Sequence, residues 1–182
     1  MVHEGEAFLN IARSELARGT YARLRVSVAY QNYDIDLAVT SPIPLSFTGT
    51  LASFIGFNTY ISNTLVNDSL LTVNDDRLQG FWAFETAYSL DSGSSAGVTT
   101  VPNPIFATSP IPAGSCVVTG AFPSPLTITG SETSDVVIEV SLSTNNSFEW
   151  IEADGDNVFE PAPPELEAVV DMGVRGMIPT VQ

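Results

Sequence analysis

The densest chemistry in the sequence lies near its end. Glu149, Glu152, Asp154, Asp156, Glu160, Glu165, Glu167 and Asp171 all fall between positions 149 and 171. Carboxylates this close repel one another unless solvent, salt or a cation screens them. At the centre stands Glu152-Ala153-Asp154-Gly155-Asp156-Asn157-Val158-Phe159-Glu160. Its carboxylates occupy relative positions 1, 3, 5 and 9, and Val158 offers a carbonyl at position 7. Calcium takes six to eight oxygens from a flexible loop, and this alternation turns several of them inward. Asn157 stands where an EF-hand loop has its sharp-turn glycine, and asparagine tolerates the left-handed conformation. Position 12 is Pro163, so the bidentate glutamate of that motif is missing, with Glu165 or Glu167 as substitutes. A calcium loop built from Glu152, Asp154, Asp156, Val158 and Glu160 is one expectation; an acidic, solvated turn is the other.

Other site chemistries fare worse. His3 is the only histidine and Cys116 the only cysteine. Zinc sites and Ser-His-Asp or Cys-His engines therefore lack their parts, and no intrachain disulfide can form. With no lysine in the chain, Schiff-base and P-loop lysine chemistry are excluded. Paired carboxylates remain open for glycoside hydrolysis, with Glu85, Glu139, Glu149 and Asp171 as candidates, but nothing in the sequence makes any two converge. No catalytic residue is assigned. Trp82 and Trp150 are the best residues for stacking on sugar rings, with Tyr30, Tyr33, Tyr60 and Tyr88 behind them. Both tryptophans stand in alternating apolar runs, where core packing is the competing use.

The balance of charge narrows the partners. Six arginines face 21 acidic residues, for a formal net charge of −15. Backbone binding to nucleic acid needs a Lys/Arg field, and so does an anionic membrane surface. No apolar run approaches the roughly 18 residues of a spanning helix, so no membrane insertion is expected. Met1 to Glu6 lacks the basic and apolar regions of an export signal. The Ser/Thr-rich, lysine-free composition nonetheless suits an extracellular or cell-surface setting.

The elements that position these residues read as strands. Val, Ile and Thr are abundant, and β-branched side chains favour extended backbone. Turn signals recur at the spacing of an antiparallel β-sandwich, Ig-like or jelly-roll-like. Glu4–Arg18 is the one helix candidate, with Phe8, Leu9, Ala12 and Leu16 on one face; a short edge strand ending at Leu16 is the alternative. Leu24, Val26 and Val28 alternate after Gly19, and Gln31-Asn32 reads as a tight turn before Tyr33 to Thr40. In the aromatic run Gly80 to Tyr88, the face of Trp82, Phe84 and Thr86 is the more apolar and is expected inward. Residues 91–114, with Pro102, Pro104, Pro110 and Pro112, read as a long irregular connection within a single domain spanning 1–182. Val174 to Gln182 is an apolar, uncapped end that could complete a neighbour's sheet, predicting self-association by strand exchange.

Three stretches together resemble exported β-sandwich surface proteins and lipoproteins of Bacteroidota-type cell envelopes. They are the strand entry Leu16-Ala17-Arg18-Gly19-Thr20-Tyr21-Ala22-Arg23-Leu24-Arg25-Val26, the segment Ser147-Phe148-Glu149-Trp150 with the acidic loop, and Val170-Asp171-Met172-Gly173-Val174-Arg175-Gly176. The resemblance implies an exported β-sandwich and supplies no catalytic residues. The expected function is a non-enzymatic structural or adhesive protein, calcium-stabilised and self-assembling into filaments. A carbohydrate-binding module is the alternative, and a carboxylate-based glycoside hydrolase the third reading.

Overall fold

The computed structural model describes residues 2–54, 59–77, 80–94, 108 and 117–182. Among these residues the fold is all-β, with one short 3-10 turn at Arg13–Glu15. The first seven strands are β1 (Gly19–Ser27), β2 (Tyr30–Val39), β3 (Leu45–Phe54), β4 (Thr59–Leu65), β5 (Leu70–Arg77), β6 (Phe81–Glu85) and β7 (Leu90–Ser94). The remainder are β8 (Val117–Ile128), β9 (Ile138–Leu142), β10 (Phe148–Trp150), β11 (Val169–Met172) and β12 (Met177–Val181). Every strand-to-strand ladder is antiparallel.

Two apolar clusters organise these strands. In the first, Leu24, Val26, Val28 and Val140 pack against buried Val118, Val174 and Met177. This joins the β1–β8 pair to the β9–β12 pair, and it uses the face of β1 that alternation predicts. Gly120 makes the junction possible: a Cβ there would lie 2.6 Å from the Met177 carbonyl oxygen and 2.5 Å from Pro179 Cδ. The second cluster gathers Ala52, Val66 and Ala83 with Tyr30 and Leu71. It draws on the four-stranded sheet β2-β3-β6-β7 and on the β4–β5 hairpin.

Several expectations are corrected. The stretch Glu4–Arg18 forms no α-helix; apart from the 3-10 turn it is irregular, with Phe8, Leu9 and Ile11 exposed. Of its apolar stripe only Leu16 is even half-buried, and a short helix without a packed face is marginal. Gln31-Asn32 is no turn, because β2 runs unbroken through both and pairs with β3 from Tyr30↔Phe54 to Val39↔Leu45. On β6 the inward face is Phe81 and Ala83, not Trp82 and Phe84. Trp82 lies over Gly93 of β7, where a Cβ would sit 2.7 Å from the indole ring, and Phe84 covers Gly49 of β3 in the same way. Flat aromatic cover over strand glycines buries ring surface on the outer side of a sheet, and a hydropathy count cannot anticipate that. The chain end is not free for exchange. β12 pairs with β9 of its own chain from Met177↔Leu142 to Val181↔Ile138, and Val174 and Met177 are buried. Strand exchange through Val174 to Gln182 thereby loses its basis. Cys116 and most of the proline-rich connection lie outside the described residues.

Candidate functional site

The acidic loop follows β10 and returns to β11. Each early carboxylate folds back onto the backbone just ahead of it. Glu152 Oε1 accepts from the N–H groups of Asp154 at 3.3 Å and Gly155 at 3.0 Å, and Oε2 from Asn157 at 3.1 Å. Asp154 Oδ1 accepts from Asp156 N–H, and Asp156 Oδ1 from Val158 N–H at 2.7 Å. These are the local side-chain-to-backbone turns that Asp favours. Gly155 and Asn157 supply the positive φ values, +89° and +63°, that the curl requires. The backbone donors, Gly155 foremost, hold the Glu152 carboxyl below its usual range.

Glu167 closes the loop. Its Oε1 accepts from Ala153 N–H and its Oε2 from Glu160 N–H, both at 2.8 Å, while its own N–H donates to the Glu160 carbonyl. The loop is then fastened to β2, where Ala38 N–H donates to the Phe159 carbonyl at 2.9 Å and Leu37 bridges to Phe159.

The predicted ligands fall into two groups that share Asp154. Glu152, Asp154 and Asp156 bring carboxylate oxygens within 4.8 Å of one another, all on exposed side chains. Asp154, Glu160 and Glu165 do the same. Val158, expected to offer its carbonyl, donates its N–H to Asp156. Glu165, foreseen as a substitute ligand, is brought in, while Glu167 is committed to the backbone through both oxygens. Glu160 is 2% exposed, and its Oε2 has no hydrogen-bond partner. Burial, then the charges of Glu165, Asp156, Asp154 and Glu167, pushes its carboxyl above the ordinary range.

Beside this loop lies a groove of about 420 Å³. One wall is Tyr33, Asp34, Ile35 and Asp36 of β2; the other is Thr144, Asn146 and Ser147 with Phe148 and Trp150 of β10. The rings of Phe148 and Trp150 pack on Phe159, at centroid distances of 5.1 and 5.8 Å. Half-buried Trp150 keeps its indole N–H without a hydrogen-bond acceptor. Asp34 and Asp36 are exposed on the same side of β2, and each accepts from a threonine of β3: Thr50 at 2.7 Å and Thr48 at 2.8 Å. Tyr33 donates its phenol to the Ser147 carbonyl at 2.7 Å, and burial pushes that phenol well above its usual value.

Behind the groove, Arg175 is fully buried. It meets Asp171 at 3.4 Å, and its Nε, Nη1 and Nη2 make no hydrogen bond. Sequence reasoning gave Arg175 no role of its own; an arginine inside the apolar run Val174 to Ile178 was the available signal. It also passed over Asp34 and Asp36, whose signal was two acids one apart on an alternating strand.

Three of the four carboxylate candidates for hydrolysis, Glu85, Glu139 and Asp171, hold hydrogen-bond or ion-pair partners elsewhere. Glu85 fastens the β4–β5 turn through Asn67 N–H, Ser69 N–H and Ser69 Oγ. Glu139 accepts from Ser141 and Gln182. Glu149 and Asp171 are register partners across β10 and β11, but Asp171 serves Arg175 and the Met172 N–H. Trp82 lies over Gly93, away from the groove. No helix among the described residues is long and apolar enough to cross a membrane.

No protein-family model matches the chain, and neither does any curated protein or solved structure.

Proposed function

We propose that the chain is a non-catalytic, carbohydrate-binding β-sandwich of the extracellular or cell-surface kind, adhesive in its role, with the β2–β10 groove as its binding site. The observation that carries this reading is Trp150, half-buried on an aromatic base and lining the same open groove as Asp34 and Asp36. A pyranose offers C–H faces to an aromatic ring and adjacent hydroxyl pairs to a carboxylate, so one ligand satisfies both walls. Asn146 and Thr144 add neutral donors and acceptors at the rim. The net charge of −15 selects against sulfated or uronic acid chains and favours neutral glycans.

The placement of the acids favours binding over hydrolysis. Asp34 and Asp36 stand two residues apart on one strand, roughly 7 Å along the same wall. Glycoside hydrolysis needs its two carboxyl groups flanking the scissile bond. The test is affinity electrophoresis of the purified chain in gels carrying neutral or acidic polysaccharides, followed by titration of the retained ligand against tryptophan fluorescence. Retardation by a neutral polysaccharide, with at least tenfold weaker binding in Trp150→Ala and Asp34→Asn, is expected. Unretarded migration through every neutral polysaccharide, or full affinity in Trp150→Ala, overturns the reading.

A further inference from the structure

The two carboxylate groups around Asp154 are not equivalent, and the difference points to a ligand. In the exposed group, Glu152 and Asp156 already accept hydrogen bonds from the loop backbone. In the other, Glu160 is 2% exposed, and its Oε2 is held away from every donor. That oxygen belongs to a side chain whose carboxylate converges on those of Asp154 and Glu165. A buried carboxylate oxygen without a partner is costly, and it persists where something else meets it.

We propose that Asp154, Glu160 and Glu165 bind one calcium ion, with Glu160 as the inner ligand and Asp154 and Glu165 closing over it. The spacing suits the ion. Two oxygens on one calcium lie no further apart than twice the metal–oxygen distance, about 4.6–5.2 Å, and the oxygens of this group lie within 4.8 Å of one another. Calcium is favoured over magnesium, which demands a near-ideal octahedron at about 2.0–2.1 Å and gives up its waters reluctantly, whereas three carboxylates on a curled loop suit a larger ion of flexible geometry. Glu165 is oriented from outside the loop, since Thr40, just past β2, donates its hydroxyl to Glu165 Oε2 at 2.9 Å. The ion therefore ties the loop to the end of β2, beside the Phe159–Ala38 hydrogen bond. This ligand set departs from the sequential loop pattern: Glu165 replaces Glu152, Asp156 and Val158. The site stands whether or not the groove binds sugar.

Calorimetric titration of the purified chain with calcium chloride, at ionic strength matched with sodium chloride, tests the proposal together with thermal melts in calcium, magnesium and EDTA. One calcium per chain is expected. The Tm should rise by about 5–10 °C at a hundredfold excess over Kd, and much less with magnesium. Glu160→Gln should abolish binding, Glu165→Gln should weaken it at least tenfold, and Glu152→Gln should leave it within about twofold. Because Glu160→Gln removes a buried charge, it should also melt higher than the parent in EDTA, which shows that lost binding is not lost folding. Absence of heat and of any Tm change at millimolar calcium overturns the proposal. So does binding that survives Glu160→Gln but fails in Glu152→Gln, which places the ion in the exposed group.

Discussion

Glu167→Ala tests whether the acidic loop is held by one side chain. In the folded chain Glu167 accepts two backbone N–H groups, those of Ala153 and Glu160, seven residues apart. Both bonds have a charged acceptor, and such bonds contribute about 1.5–3 kcal/mol each. Alanine removes both and leaves the buried Glu160 N–H unpaired. Removing one negative charge from beside Glu160 and Glu152 offsets part of the loss. The net cost worked this way is about 2–4 kcal/mol. For a chain of this length that lowers Tm by roughly 5–15 °C. Urea unfolding in EDTA, monitored by tryptophan fluorescence, measures it without interference from cations. Glu152→Ala is the comparison. Its three N–H partners are exposed, so water replaces the carboxylate and the shift should be several-fold smaller. A loss below about 1 kcal/mol in Glu167→Ala, or equal losses in the two variants, refutes the argument that burial of the partner N–H sets the cost.

Three further outcomes follow from the same structure. Gly120→Ala should cost about 1–3 kcal/mol or prevent folding, since its Cβ would meet the Met177 carbonyl at 2.6 Å; equilibrium unfolding reads it. Arg175→Met should cost about 3–5 kcal/mol because it removes the buried guanidinium countercharge of Asp171, whereas adding Asp171→Leu should recover most of that loss; a double-mutant cycle measures the coupling. Glu132 accepts from Thr129 N–H and Oγ1 and from Gly130 N–H, led by the Thr129 backbone bond, and these hold its carboxyl down at about 2. A depressed folded-state value means that its contribution is present above the ordinary carboxylate value of 4.5 and is lost as pH falls toward about 2. Carboxyl NMR titration should show the low value, and Thr129→Val should raise it.

The strand content was legible because alternation is local. Leu24, Val26 and Val28 find their core wherever β8 and β12 happen to sit. What failed were readings that needed to know the other layer. The Phe8, Leu9, Ala12 and Leu16 stripe is helical in spacing, yet of the four only Leu16 is even half-buried. Trp82 and Phe84 outrank Phe81 and Ala83 in apolarity, yet glycines on neighbouring strands give the large rings a place on the outside. The groove was legible in half: Trp150 was a candidate, but Asp34 and Asp36 gain their meaning only from β10, more than a hundred residues later. In the acidic loop, spacing singled out Glu152, Asp154, Asp156 and Glu160 but could not divide them. That division depends on which N–H groups the curled backbone presents, and the positive φ at Gly155 and Asn157 decides it.

The scarcity of basic residues poses a physical problem that the backbone largely answers. No basic residue stands between Arg77 and Arg175, so the acids of that span have no cation within it for local ion pairing. Arg175 itself is buried and reaches Asp171 alone among the described carboxylates. Peptide N–H groups take the place of cations instead. Glu85, Glu132, Glu152, Asp154, Asp156 and Glu167 each accept at least one. A peptide donor costs no extra side chain and is fixed in place by the fold, so it offsets repulsion without adding a flexible partner. Salt should therefore alter stability less than a charge of −15 suggests, since hydrogen-bonded carboxylates are already compensated at short range. Among the described buried carboxylate oxygens, Glu160 Oε2 is the one that no donor reaches. A chain that compensates its acids so consistently from the backbone, and leaves this oxygen bare beside two more carboxylates, concentrates its unmet demand for positive charge at a single point.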